Sequence, residues 1–550
     1  MQIEDRRPFE RRFDEMKEQA QDHVPMWKEL SQYIAPERGF FDGQQPNRHD
    51  GINHKILLDS TATKDLRVMD SGMMGGLTSP SHPWFKIGIS DRELMQYEPV
   101  KKWLDDVRKI LMDIFARSNI YNMFHTIYQE LAAFGTAAAY IGEDYKDVIR
   151  CRTFTIGEYY LGVDYNGRVN AFAREFWMTA GQMVGKFGID NVTRDVKAAY
   201  NNNNLEKWFP VHQLIEENDD RIPGKVDSKN MPYRSIYWEP GSHSNDVLRY
   251  SGYHEFPIIA PRWDTLGNDS YGRDCPGRLA LGDSKTLQLL SRDGLMALDK
   301  MNDPPIEKPS RVDIVNTAPG GVTIADETGQ GTIRPLYQVN PPLNELEVYK
   351  KAYRDSIHET FFKDLFLLIT NIQRSGVTAT EINAKQQEQL LQLGPIITRL
   401  SSECYDPVIN RSFNIANRVG LIPQPPRELE GMEVQPEYIS VFAQAQKMVG
   451  TTAIKETVAF AGSLMQAKPD IVDKVNFDEA LDQIADMNGI PPGVIRGDDE
   501  VAQIRLQRQQ AEQQQAQMQQ LMTAAQGAKT LSETDTGSNN ALTALLGGAQ

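Results

Sequence analysis

The spacing of hydrophobic positions changes along the chain, and the changes divide it. From Arg7 to about Tyr145 apolar residues recur at steps of three and four, as in Val100, Trp103, Leu104, Val107, Ile110, Leu111 and Ile114, which predicts helices with one buried stripe each. The apolar run Leu131 to Gly142 is shorter than the ~20 residues a membrane span needs and reads as a buried helix. From Val148 to Trp263 the pattern becomes strand-like. Tyr165-Asn166-Gly167-Arg168 stands between two β-prone runs as a tight hairpin turn, and a further strand pair is predicted at Ser235 to Trp238 and Val247 to Tyr253.

After the turn-rich Asn268 to Pro276, one helical stripe carries Leu287, Leu290, Leu298 and Met301 and stops at Asp303-Pro304-Pro305. About 25 residues at 1.5 Å each make a rod of roughly 37 Å. Pro304 to Pro342 reads as a small β insertion, with β-prone pieces at Val312 to Val315, Val322 to Ala325 and Thr332 to Tyr337. A second rod follows, with Leu346, Tyr349, Tyr353, Ile357 and Phe361 on its stripe. Leu365 to Gly376 then interrupts the helix, and another opens at Thr378 with Glu381 completing a capping box and Pro395 predicting a kink.

Pro423 to Pro426 marks a boundary, and Ile439 to Met487 reads as helical with a loop at Pro469. Arg505 to Gln520 is glutamine-rich, with Val501, Ile504, Ala511 and Met518 near heptad positions. Two readings stand there: a helix that self-associates around a symmetry axis, or a solvated helix. Residues after Ala525 are small and polar and are expected to be mobile.

Composition narrows the function. The 59 basic and 75 acidic residues leave a formal charge of −16, the wrong sign for tight general binding to nucleic acid but compatible with DNA that must slide past. Cys151, Cys275 and Cys404 have no metal-ligand spacing, so neither a zinc cluster nor a disulfide framework is indicated. The charged start, Met1 to Arg12, is unlike a signal peptide, and no membrane segment is expected.

No catalytic motif emerges. Gly277 to Thr286 has the glycine spacing of a phosphate-binding loop, but Asp283 stands where the lysine must be, so it reads as the start of the first rod. His358-Glu359 lacks the second histidine of a zinc protease and reads as a helix face. No catalytic residues, metal ligands or cofactors are assigned, although a hydrolase of unrecorded geometry stays as an alternative.

Several segments in order carry a resemblance. They are Trp27 to Gly39, Gly76 to Phe85, Phe134-Gly135-Thr136-Ala137, Pro261-Arg262-Trp263, Tyr271-Gly272-Arg273, Val377 to Ile382 and Leu393 to Leu400. Together they resemble the head-to-tail connector, or portal, proteins of short-tailed, T7-like bacteriophages. The resemblance implies an α+β, mainly helical protein with a wing, stem, clip and crown, assembled as a dodecameric ring.

On that resemblance residues 1–276 correspond to the wing, with its β portion at about 148–263. Residues 277–302 and 343–364 are the two stem helices, 303–342 the clip and 365–377 the tunnel loop. The chain would return through 378–434 to a crown at 435–525, with a possible short helical barrel, and a flexible tail at 526–550. The implied function is a non-enzymatic DNA conduit at one capsid vertex, for packaging, head–tail joining and ejection. The implied partners are twelve identical subunits, double-stranded DNA, the packaging terminase, the major capsid protein and scaffold, and tail adaptor proteins. Its expected location is the virion, after synthesis in the host cytoplasm. Asn371, Gln373 and Arg374 are the expected channel residues, contacting phosphate without reading bases. Leu287, Leu290, Leu298, Tyr349, Tyr353 and Arg354 are the expected subunit interface. A tail adaptor or internal ejection protein is the structural alternative.

Overall fold

The computed structural model describes residues 6–41, 57–81, 83–89, 97–225, 227–241, 247–308, 333–335, 342–367, 384–429, 434–438, 476–481 and 498–532, with shorter pieces at 91, 94–95, 314–316, 457 and 459–460. It divides into two units, Met1–Gln446 and Lys447–Gln550.

The first unit opens with helices α1 (Arg7–Gln21), α2 (Val24–Tyr33) and α3 (Thr61–Leu77). Strand β1 (Phe85–Ile89) interrupts the region expected to be helical, and α4 (Glu98–Arg117) and α5 (Ile120–Phe134) follow. The α4 stripe is as predicted: Val100, Trp103, Leu104, Val107, Leu111 and Ile114 are buried.

The run Leu131 to Gly142 corrects an expectation. Its first half finishes α5, Gly135 ends the helix at φ +78°, and Ala138 begins strand β2 (Ala138–Asp144). An apolar run of small residues suits either geometry, and glycine in the left-handed region is what stops the helix.

Strand β3 (Val148–Phe154) pairs with β2, which also pairs with β9 (Ile258–Ile259). Five antiparallel strands make a second sheet in the order β4 (Tyr159–Val163), β5 (Val169–Thr179), β6 (Trp208–Glu217), β7 (Tyr233–Trp238) and β8 (Arg249–Tyr253). The hairpin between β4 and β5 turns where predicted, with Gly167 at φ +77° and the Asp164 carboxylate accepting the Asn166 and Arg168 N–H groups. The predicted β7–β8 pair is also present. Two helices not foreseen in this region, α6 (Ala180–Phe187) and α7 (Arg194–Asn201), pack on a small core around Phe176, Met183 and Val211. A capping box between Thr179 and Gln182 opens α6.

The first rod is α8 (Pro276–Asn302), which begins one residue before the expected 277–302 and ends where expected. Its 27 residues span about 40 Å. Ile306–Glu307 (β10) pairs with Arg334–Pro335 (β11), so the insertion does contain a strand pair; of its other predicted pieces, Val322 to Ala325 lies outside the described residues.

The second rod, α9 (Leu343–Thr360), is shorter than expected: Phe362 takes φ +51°, breaking the helix before residues 363–367 resume it. Helix α10 (Ala384–Leu400) contains Pro395 and runs through a π-turn at Ser401–Tyr405 into α11 (Asp406–Arg418). The capping box expected at Thr378 and Glu381 lies outside the described residues. Strand β12 (Val434–Tyr438) pairs with β1, which keeps residues 434–438 in the first unit.

In the second unit the glutamine-rich segment lies within a helix, α12 (Asp498–Ser532), which extends seven residues past Ala525, beyond where a mobile tail was expected to begin. Most of Ile439 to Met487 lies outside the described residues.

Candidate functional site

The two rods are the candidate working surface, and three sets of contacts fix them. At the root of α8, motifs distant in sequence close on one another. The Gly135 carbonyl accepts the Trp263 N–H at 2.8 Å, and the Thr136 hydroxyl accepts the Gly272 N–H at 2.7 Å. A Cβ on Gly272 would overlap the Gly135 carbonyl, and one on Gly277 would overlap the Ala133 carbonyl, so α8 starts flush against the end of α5. Tyr271 stands edge-on to Trp27 at 5.0 Å, and its hydroxyl accepts the Leu161 N–H. Four of the segments that carry the family resemblance therefore meet here.

Arg262 locks this root. It is 4% exposed, and its guanidinium donates to Glu403 Oε1 at 2.6 Å, to the Asp269 carbonyl at 2.7 Å and to the Gly167 carbonyl at 2.8 Å. One buried cation thus ties the β4–β5 hairpin, the loop before α8 and the π-turn together; its carboxylate partner satisfies the charge that burial would otherwise forbid.

The second set holds α9 on α3. The Arg354 guanidinium donates to Asp59 at 2.8 and 3.0 Å. Asp65, wholly buried, faces His358 Nδ1 and Lys363 Nζ, the latter at 2.9 Å. Further on, Gly72 leaves the space that Phe366 fills. Burial alone would raise the Asp59 carboxyl, but the Thr61 and Arg354 hydrogen bonds outweigh it and hold it below the usual carboxylate range.

The third set is the seam between the rods. The α8 face toward the body is built from small residues: Gly277, Ala280, Ser284, Ser291 and Gly294 are buried, together with Leu287. A Cβ on Gly294 would stand 2.6 Å from Leu346 Cδ2, and Ser356 Oγ donates to Asp283 Oδ2 at 2.6 Å. These contacts make α8 and α9 antiparallel neighbours.

The expected interface residues divide accordingly. Leu287 is buried within its own chain. Arg354 serves Asp59, Tyr353 is half-buried against the core, and Leu290 and Leu298 are half-buried. Tyr349 alone is strongly exposed, at 60%. The other apolar side chains that α8 and α9 present to solvent are Leu279, Leu289, Leu295, Met296, Met301 and Val348.

Asn371, Gln373 and Arg374 lie outside the described residues. Sequence reading missed Asp59 and Asp65 as anchors and took His358 for a plain helix face. The signal was available, because Asp65 and Asp70 fall on the apolar stripe of α3 with Leu66, Met69 and Met73, and a carboxylate there needs a partner. The Gly277 to Thr286 segment is helix from its first residue, as expected. Among the described residues no cluster of ligating side chains suits a metal ion, and no helix is long and apolar enough to cross a membrane.

Residues 6–495 match the family described as bacteriophage head to tail connecting protein. The chain is 42% identical over 526 residues to the portal protein of Salmonella phage epsilon15, a match that covers 95% of this chain and 94% of that one. It is 38% identical over 538 residues to the probable portal protein of Bordetella phage BPP-1, covering 97% and 96%. Among solved structures, a chain from the neck of an empty GTA particle aligns with a TM-score of 0.34 and 12% identity over 72% of this chain and 86% of that one. A chain from the virion of a native gene transfer agent particle aligns with a TM-score of 0.25 and 10% identity over 54% and 73%.

Proposed function

The chain belongs to the family of bacteriophage head to tail connecting proteins, and from that premise we propose that it is a portal: a ring at one vertex of the capsid through which double-stranded DNA is packaged and ejected. Its work is structural rather than catalytic. Twelve copies form the ring, with α8 and α9 as the stem around the channel and residues 303–342 as the clip that meets the terminase during filling and tail adaptors afterwards. Residues 1–276 and 378–434 form the wing, against the capsid protein and scaffold. Residues 365–377 form the tunnel loop, where Asn371, Gln373 and Arg374 contact phosphate, and 435–525 the crown. The finished particle is a short-tailed virion, assembled in the host cytoplasm.

The observation that carries the reading is the pair of antiparallel rods, anchored on one side by Asp59, Asp65 and Gly72, with large apolar side chains left in solvent on the other. A monomer gains nothing from that arrangement, whereas repetition about an axis covers each exposed face with a neighbour and leaves no open edge. Negative-stain images of the purified protein test it. Rings with a central hole are expected; a compact monomer without a pore would overturn the proposal.

A further inference from the structure

Resting on the ring reading, the charge pattern of the two rods goes further and points to which faces meet. On α8 the outward stripe carries Arg278, Lys285, Arg292 and Lys300 around Leu289 and Met296. On α9 it carries Glu345, Asp355 and Glu359 around Val348 and Ala352. Minor charges run the other way, Asp293 and Asp299 on α8 and Lys351 on α9, without changing the sign of either stripe.

The basic groups have local partners: Asp274 for Arg278 at 3.7 Å, Glu29 for Lys285 at 2.7 Å, and Asp293 for Arg292 at 3.2 Å. All three cations are at least 37% exposed, and such surface pairs exchange partners at little cost.

The heights of these groups also agree. The Ser356–Asp283 hydrogen bond fixes a common level for the two antiparallel rods. Counting from it at 1.5 Å per residue, Lys285 and Asp355 differ by about 2 Å, Arg278 and Glu359 by about 3 Å, and Arg292 and Glu345 by about 3 Å. Leu289 falls between Ala352 and Val348. A neighbour related by rotation alone, without a shift along the rods, therefore presents opposite charges and apolar groups at matching levels. A closed ring requires just such a relation, whereas an axial shift would generate an open helix.

We propose that the ring interface is heterologous, the outward face of α8 on one subunit docking against the outward face of α9 on the next, with Arg278, Lys285 and Arg292 opposite Glu359, Asp355 and Glu345. The interface contains none of Leu287, Tyr353 or Arg354, which are engaged within the subunit.

Charge exchange tests it on the full chain, with assembly followed by mass photometry and negative-stain imaging, and folding by thermal melting. Arg292→Glu and Glu345→Arg are each expected to raise the protein concentration needed for half-assembly at least tenfold, and the double variant to recover most of that loss. Arg278→Glu and Glu359→Arg provide a second, independent cycle. Rings that persist unchanged in all single variants would overturn this interface while leaving the ring intact. Loss in the singles without recovery in either double variant would also overturn it. Absence of rings in the unaltered protein would instead sink the ring reading on which it rests.

Discussion

Gly272 lies against Gly135 so closely that neither the chain crossing nor the start of α8 leaves room for a methyl group: a Cβ on Gly272 would overlap the Gly135 carbonyl. The two glycines do different work. Gly135 supplies a left-handed turn at φ +78°, and Gly272 supplies absent volume.

Gly272→Ala should therefore destabilise the first unit by about 1–3 kcal/mol, the usual effect of overpacking against an unyielding backbone. Gly282→Ala, on the open face of α8 with nothing within 4 Å, should be neutral or stabilising by up to ~1 kcal/mol. Urea midpoints of the two variants would separate these outcomes, and equal loss in both would contradict the root geometry.

Removing Arg262 leaves Glu403 without its cation and frees three chain segments at once. Arg262→Ala should cost about 3–5 kcal/mol, and Arg262→Lys should restore only part, because an ammonium cannot reach Glu403 and two carbonyls with one planar fork. Hydrogen exchange should rise at the β4–β5 turn and at Ser401–Tyr405 together, a pattern that independent segments would not give.

The anchors of α9 are ranked by burial. A His358→Ala/Lys363→Ala variant leaves the wholly buried Asp65 with neither partner and should cost about 3–5 kcal/mol, more than Arg354→Ala, whose partner Asp59 retains Thr61. Denaturation midpoints would check the ranking, and the reverse order would show that Asp65 is not the anchor.

Two buried groups impose opposite pH dependences. Burial, first, lifts the Glu130 carboxyl to about 7 against the pull of Arg38 and the Thr155 hydroxyl. Between the ordinary value of 4.5 and 7 the folded state holds a proton the unfolded state has released, so Glu130 removes stability as pH rises through that window, roughly 3 kcal/mol in all. His212, stacked on Phe13 at 4.1 Å, is pushed down by burial to about 4 despite Glu175. It removes stability as pH falls from 6.5 to 4. Glu130→Gln should thus gain on the unaltered protein as pH rises from 4.5 to 7, and His212→Gln should gain as pH falls. Melting temperatures across that range would show the two slopes, and parallel profiles would remove both assignments.

For the proposed channel, Arg374→Ala should reduce packaging or DNA retention while rings still form. Equal loss of assembly would argue that Arg374 is architectural.

Much of this fold could be read from the chain because punctuation was strong. Pro276 and Pro304 bracket α8, and the Tyr165 to Arg168 turn declares its hairpin. The direction of the rods' faces was not legible. Counting leucines favoured Leu287, Leu290 and Leu298 as the outward stripe, whereas the covered face is mostly Gly, Ala and Ser, because Leu346 of α9 fills the volume that Gly294 vacates. Small residues look neutral in a hydrophobic pattern, although close approach depends on them. Asp65 went unread for a related reason: a carboxylate within an apolar stripe looks like a lapse in periodicity until its partners, 293 and 298 residues away, are in view.

The opposed directions of α8 and α9 also have an electrical consequence. Each helix carries about half a positive charge at its start and half a negative charge at its end, and here the start of one lies beside the finish of the other. Most of the lengthwise field of each pair is thereby cancelled. A passage walled by such pairs would neither draw a polyanion forward nor hold it back, and would leave direction to whatever drives the strand.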